Sequence, residues 1–149
     1  MNTIKDIENK TGKIKIAFAT DDGTNLSSEH FGSAKRYLVY VLNNTLEFEK
    51  EIENQTMEER FHGDPNKAKS IRELLKDVQI FVGFVMGPNI TRMRRFILPI
   101  ISRIKRIHDA KAEILMHKDE ILKYLNKEIK PIIIIDKQND KTIIRVVDK

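Results

Sequence analysis

The chain has 149 residues, a length that fits one domain and allows a sizeable core to be buried. Charged residues make up 33% of it, and its formal net charge of +5 favours an anionic partner without requiring one. The absence of cysteine excludes disulfides and any thiolate-ligated metal site built by this chain alone. The N-terminus is polar and no apolar run approaches membrane-spanning length, so we expect a cytoplasmic protein without a membrane partner.

The first predicted elements are three strands that follow a polar lead-in, residues 1–12, which we expect to be flexible. A tight turn at Asn43-Asn44 predicts that the second and third strands form a hairpin. The third strand alternates apolar and acidic residues, which predicts an acidic face turned to water. The three segments are KIKIAFAT (13–20), YLVYVL (37–42) and LEFEKEIEN (46–54).

The rest of the chain alternates predicted helices and strands. Helices are predicted at GDPNKAKSIRELLKD (63–77), ITRMRRFIL (90–98) and residues 106–127. Strands are predicted at VQIFVGFVMG (78–87) and PIISR (99–103), and a terminal hairpin at PIIIID and KTIIRVV. The order β-β-β-α-β-α-β-α, followed by a hairpin, predicts a mixed sheet covered by helices.

Three loops carry residue types that bind ligands: DDGTNLSSEHFG (21–32), FHGDP (61–65) and MGPN (86–89). Two of them follow a predicted buried strand, and FHGDP opens a helix that leads into one. Ligands of open α/β sheets bind in the crevice outside the carboxyl ends of the strands. We therefore expect convergence there of the following side chains: Asp21, Asp22, His30, His62 and Met86.

Each of these histidines has two open interpretations. Neutral imidazole is the commonest metal ligand, and Glu29 or Asp21 is close enough in sequence to orient the second nitrogen of His30. Alternatively, His30 packs or caps a turn, and Gly32 supplies the backbone conformation. His62 is either a ligand or a bystander in a stretch whose Gly-Asp-Pro caps a helix.

The third loop and the basic residues that follow it are equally open. Met86 is either a soft thioether ligand or core filler at the end of a strand. Gly87-Pro88 either offers N–H groups to an anion or makes a tight strand-to-helix turn. Four arginines predict either a solvated face or a surface for an anionic cluster, phosphate or nucleic acid: Arg92, Arg95, Arg103 and Arg106.

Three segments, in this order and spacing, resemble a known family. They are KIAFATDDGTNLSSEHFGSAKRYLVYVL, HGDPNKAKSIRELL and VGFVMGPN. They are similar to the dinitrogenase iron–molybdenum cofactor biosynthesis family, the NifX type of domain that is also found at the end of NifB. The resemblance implies a ribonuclease-H-like mixed sheet flanked by helices over residues 13–128, with residues 129–149 as an extra C-terminal hairpin.

The resemblance also implies a function linked to nitrogen fixation. It implies binding of an iron–sulfur or iron–molybdenum cluster precursor, as a carrier or assembly factor and not as an enzyme, with a cofactor-assembly or acceptor protein as partner. His30 matches the histidine of the family's His-Phe-Gly, and His62 matches a less regular position, so both are expected metal ligands. The expected cofactor-binding residues are His30, Phe31, Gly32, His62, Met86, Gly87 and Asn89. Three cations are expected to offset the charge of the cluster: Lys35, Arg92 and Arg95.

Two alternatives stay open, as does the oligomeric state. A protein-interaction or regulatory module that has lost cofactor binding is favoured by the missing cysteine and by the turn 83–89, which departs from the family's Gly-Gly-x-Gly-Pro-Gly. A nucleic-acid enzyme of the same fold needs carboxylates on its strands to hold two magnesium ions. The first strand has no acidic residue, and Asp21 and Asp22 only follow it, so nucleic acid is not the expected partner.

Overall fold

The computed structural model describes residues 13–56 and 65–148, which form a mixed α/β fold around one sheet. Within these residues the sheet has seven strands in the order β3-β2-β1-β4-β5-β6-β7. The mixed sheet predicted from the order of elements is thereby confirmed. The strands are β1 (Ile14–Thr20), β2 (Arg36–Leu42), β3 (Leu46–Glu53), β4 (Ile80–Gly83), β5 (Leu98–Ser102), β6 (Ile132–Gln138) and β7 (Lys141–Val147).

The helices are short and lie between the strands. They are α1 (Pro65–Leu74), α2 (Asn89–Met93), α3 (Ile107–Met116) and α4 (Lys118–Leu122), with 3₁₀ turns at Phe31–Ser33 and Lys123–Asn126. The single helix predicted over 106–127 is divided at His117, which has φ −105° and ψ 21°. In the described part of the chain, no helix has the length and apolar character needed to span a lipid bilayer.

The direction of the strands brings several loops to one edge of the sheet. β1 pairs antiparallel with β2, whereas β1, β4, β5 and β6 run parallel to one another. The carboxyl ends of β1, β4 and β5 therefore meet at the same edge, where the loops after β1 and after β4 begin. The predicted C-terminal hairpin is present, and its first strand, β6, continues the sheet beside β5.

Hydrophobic clusters cover both faces of the sheet, and successive side chains of β1 belong to one cluster and then the other. Ile16 and Phe18 belong to the cluster that includes residues of α3 and α4. Ala17 and Ala19 belong to the cluster that includes residues of α1 and α2. The second cluster combines these small strand residues with large rings from elsewhere, and Phe31 is one of them. The loop after β1 is consequently tied to the α1–α2 face.

The prediction for β3 is correct only in part. Glu47, Glu51 and Glu53 are exposed as expected. A register shift opposite Val39 and Tyr40 interrupts the alternation, so that Phe48 is 57% exposed. Glu49 is partly buried instead and pairs with Lys15 at 3.0 Å.

Candidate functional site

The loop after β1 and the turn after β4 meet at the edge where the parallel strands end. His30 forms an isolated parallel bridge with Val85, just beyond the end of β4. Side chains of α1 and α2 complete a narrow cleft between the two segments. Its walls include His30, Gly32, Lys67, Met86, Gly87 and Asn89. The convergence of the His-Phe-Gly and Met-Gly-Pro-Asn segments, predicted from the order of elements, is therefore observed.

The imidazole of His30 lies directly against the backbone of Gly87. A β-carbon added to Gly87 would lie 2.8 Å from Nδ1 and 2.9 Å from Cγ of His30, closer than such atoms pack. Gly87 also has a φ of +85°, a left-handed conformation that favours glycine. Glycine satisfies both constraints.

The prediction that Gly32 supplies a special backbone conformation for this loop is wrong. Gly32 has no positive φ. A β-carbon added there would lie 3.5 Å from Ile71 and 3.6 Å from Lys67, which are ordinary contact distances. Gly32 therefore lines the cleft without being required by backbone strain, and the demanding position is Gly87.

Phe31 anchors the loop from inside the core. Its side chain is fully buried and stacks on Phe81, with ring centroids 4.6 Å apart and planes 8° apart. Its carbonyl oxygen accepts a hydrogen bond from the Tyr37 hydroxyl at 2.7 Å. Burial raises the pKa of Tyr37 above its ordinary value, so this hydroxyl stays protonated and donates. Phe31 was predicted to contact the cofactor, but its buried ring fixes the position of His30 instead.

A second anchor is Asn54, just beyond the end of β3. Its side-chain amide donates to the carbonyl oxygens of Gly32 at 2.9 Å and of Ala34 at 2.7 Å. Its Oδ1 accepts hydrogen bonds from the N–H and the hydroxyl of Thr56. The role of Asn54 was not predictable from the sequence, because 22 residues separate it from Gly32 and one polar side chain after a strand gives no local signal.

Lys67 is the basic side chain in the described part of the cleft wall. It is only 5% exposed, and its Nζ donates to Thr56 Oγ1 at 2.6 Å. Lys35, Arg92 and Arg95, which were expected to offset the charge of a cluster, are exposed and do not line the cleft. Arg95 pairs with Glu128 at 2.9 Å. A signal for Lys67 did exist, because it lies four residues before Ile71 on the apolar stripe of α1.

The two aspartates that were expected at the site lie elsewhere. Asp21 and Asp22 line a separate depression beside Lys105. Asp22 accepts hydrogen bonds from the N–H groups of Asn25 and Thr24, each at 2.8 Å, and these lower its pKa to about 2. Asp21 accepts one from the N–H of Lys35 at 2.9 Å. Both carboxylates therefore hold the loop together and do not meet His30.

The remaining predicted residues have mixed positions. Met86 is 6% exposed and forms part of the cleft wall within the core, as its alternative interpretation expected. Asn89 begins α2 and lines the cleft. His62, like the lead-in 1–12, lies outside the described residues.

The cleft as it stands suits a ligand at its mouth. It has room for about one water molecule, so a larger ligand does not fit inside it. Among residues 13–56 and 65–148, no three His, Asp or Glu side chains gather in a way that holds a metal ion. The described residues place the imidazole of His30 and the side chain of Lys67 in the walls of the same cleft.

The sequence model of a family described as dinitrogenase iron–molybdenum cofactor matches residues 12–113. The chain belongs to this family. The match confirms the membership that three sequence segments predicted, and it relates the chain to biosynthesis of the iron–molybdenum cofactor. It includes β1 to β5 and both sides of the cleft, and it ends before β6. No curated protein matches the chain in sequence.

Proposed function

We propose that the chain binds a metal–sulfur cluster precursor and carries it to an assembly or acceptor protein, without catalysing a reaction. The observation that supports this most directly is the position of His30. Its ring is held against Gly87 at the edge where the parallel strands end, in a chain of the iron–molybdenum cofactor family. The cluster is cargo in this proposal and not a resident cofactor.

The chemistry of a single imidazole suits temporary attachment. In this proposal the imidazole of His30 supplies one ligand to an iron site, while sulfide and other ligands keep the remaining positions. An acceptor then has to replace only one protein–metal bond. Phe31 and Asn54 hold the loop backbone, so the imidazole is presented without further ordering of that loop.

The test is anaerobic reconstitution with iron and sulfide, comparing the parent with His30→Ala. We expect the variant to lose most of its cluster, measured as iron and sulfide per chain. His108→Ala is the matched control, because His108 is exposed on α3 and does not line the cleft. Equal uptake by the parent and His30→Ala would show that His30 is not the ligand.

A second candidate is an interaction or regulatory module that binds no cluster. It is supported by the narrow cleft and by the lack of a three-donor group in the described residues. Metal analysis of protein isolated without oxygen separates the two candidates: about one cluster per chain excludes the module, and metal-free protein that also fails reconstitution excludes the carrier. We do not propose a nucleic-acid enzyme, because Asp21 and Asp22 are bound to backbone N–H groups.

We also propose that residues 13–128 form the ribonuclease-H-like unit that the resemblance implies, with the last hairpin as an extension to it. Support comes from an antiparallel β1–β2–β3 unit followed by β4 and β5, which run parallel to β1. A cytoplasmic location is part of the same proposal.

A further inference from the structure

A second cavity lies on the other side of the Gly87 turn from the His30 cleft. Its volume is about 260 Å³, whereas the cleft has room for about one water molecule. Met86, Gly87 and Ile90 line both spaces, and His30 lines the cleft alone. The other walls come from β5, the start of β6 and the residues that follow β4 and β5: Phe84, Val85, Ile101, Arg103 and Ile132. We call this space the β4–β5 pocket.

The pocket lies where the connections after two neighbouring strands leave the sheet on opposite faces. The chain after β4 leads into α2, whose Ile90 and Met93 pack in one core cluster. The chain after β5 leads into α3, whose Ile107 and Ile114 pack in the cluster on the other face. Such a divergence leaves a crevice outside the carboxyl ends of the two strands, and open α/β sheets bind ligands in crevices of this kind. The fold itself therefore favours a ligand here.

Most walls of the pocket are apolar side chains that the core covers incompletely. Phe84, Ile101 and Ile132 are half-buried. By contrast, Ile100 and Ile133, which belong to the cluster on the other face of the same strands, are fully buried. A ligand with an apolar body would remove the half-buried surface from water, which is favourable. The described walls contain no acidic side chain.

The charged group in the described walls is the exposed guanidinium of Arg103. Its central carbon lies 5.8 Å from the centre of the Phe84 ring, within reach of a cation–π contact. Lys105 adds a second positive charge 5.5 Å from that centre, and its Nζ also donates to Ser28 Oγ. Asp136 lies opposite Arg103 when the pairing of β5 and β6 is continued by one residue, but no salt bridge joins Arg103 to any described residue. The planar guanidinium can therefore pair with a carboxylate from outside.

We propose that the β4–β5 pocket binds a small organic acid, whose apolar body contacts the walls and whose carboxylate pairs with Arg103. The volume of about 260 Å³ is below the roughly 300–1,000 Å³ of pockets for drug-sized ligands, which restricts the ligand to a small molecule. The proposal does not depend on the carrier function, because His30 does not line this pocket. The competing explanation is that Arg103 only covers the Phe84 ring and that the pocket has no preference for an acid.

The experiment uses the full chain with labelled isoleucine methyl groups and two probes of nearly equal shape. Phenylacetate carries a carboxylate, and phenylacetamide has a neutral amide in its place. An NMR titration follows the signals of Ile90, Ile101 and Ile132, with Ile14 at the opposite end of β1 as the reference. We expect phenylacetate to shift the three pocket signals with a dissociation constant on the order of 1 mM. Phenylacetamide should bind about fivefold more weakly, because it cannot form charge-assisted hydrogen bonds with both oxygens.

Three variants separate recognition of the acid from apolar contact. Arg103→Gln should weaken binding of phenylacetate about fivefold and leave binding of phenylacetamide unchanged. Arg106→Gln makes the same change at an exposed arginine that does not line the pocket, and it should change either dissociation constant less than twofold. Ile132→Phe places a larger side chain in the pocket from the half-buried start of β6, and it should abolish the shifts caused by both probes.

Two results would overturn the inference. One is the absence of shifts at the three pocket methyl groups of the parent at about 10 mM phenylacetate. The other is equal binding of the two probes by the parent, or an equal loss for both in Arg103→Gln, since either shows a crevice that does not recognise the acid. An unchanged Ile14 signal in each variant shows that the fold is intact.

Discussion

The loop between β1 and β2 has two mostly polar halves, and different interactions hold each half in place. In the aspartate segment (residues 21–26), Asp22 accepts hydrogen bonds from N–H groups two and three residues ahead, and Asp21 accepts one from the N–H of Lys35 in the other half. The histidine segment (residues 27–35) is held from outside, by Asn54 after β3 and by the stack of Phe31 on Phe81 of β4. The carboxylate of Asp22 is bound to its own local backbone, whereas the position of the histidine segment depends on residues of other elements.

This difference makes the histidine segment dependent on residues far from it in sequence. Changes to its external anchors should lower both the free energy of unfolding and cluster binding. Substitution of Asp22, whose backbone hydrogen bonds stay within its own segment, should affect stability alone. The substitutions below test this separation.

Gly87→Ala should have the largest effect, because the new methyl group would occupy the space of the His30 ring. The cost combines a side chain at φ +85° with the clash at 2.8 Å. We expect a loss of about 2–4 kcal/mol in the free energy of unfolding, measured by urea denaturation. Cluster uptake should fall to the level of His30→Ala, since the ring has to move.

Gly32→Ala is the matched control for that substitution. Its added methyl would make ordinary contacts, and its φ is not positive. We expect a change in stability below about 1 kcal/mol and cluster uptake close to that of the parent. Comparable losses from both alanines would show that the His30–Gly87 contact is not the feature that matters.

Asn54→Asp should have the next largest effect. The carboxylate cannot donate to the carbonyl oxygens of Gly32 and Ala34, and it places a negative charge beside them. We expect a loss of about 2–3 kcal/mol and weaker cluster uptake, because the backbone next to His30 is released. Asn44→Asp makes the same change in the exposed β2–β3 turn and should lie within about 0.5 kcal/mol of the parent. An Asn54→Asp variant that unfolds more easily but keeps full uptake would contradict this link between anchor and site.

Much of the fold could be predicted from the sequence, because apolar runs and turn residues are local signals. β1, β2 and the terminal hairpin lie within a residue or two of their predicted positions. The register shift beside Val39 and Tyr40 was not predictable, since a bulge depends on how two strands pair and leaves no mark on either one. The division of the long helix at His117 was likewise missed, because its apolar stripe continues across the break.

The site was predictable as a meeting of loops but not in its details. Parallel strands end at one edge, which correctly placed His30 beside the turn at Gly87. The same rule wrongly added Asp21 and Asp22, although an aspartate before Gly-Thr-Asn is a known turn signal whose carboxylate bonds nearby N–H groups. Lys67 was overlooked because lysine is taken as a solvent-facing residue, even on an apolar stripe. Its position on that stripe was the signal that mattered.

Substitution of Asp22 in the aspartate segment should have the smallest effect on stability and should leave cluster uptake unchanged. Two backbone N–H groups lower the pKa of Asp22 from 3.8 to about 2, so its ionised form is favoured in the folded state. This contribution to stability is complete above about pH 4 and is lost as the pH falls through about 2. Asp22→Asn should therefore make stability less dependent on pH between these values, as measured by denaturation at a series of acidic pH values.

Because Asp22 does not line the cleft, cluster uptake at neutral pH should equal that of the parent. Loss of uptake in Asp22→Asn would mean that the two halves of the loop are coupled, and that local hydrogen bonds also position His30.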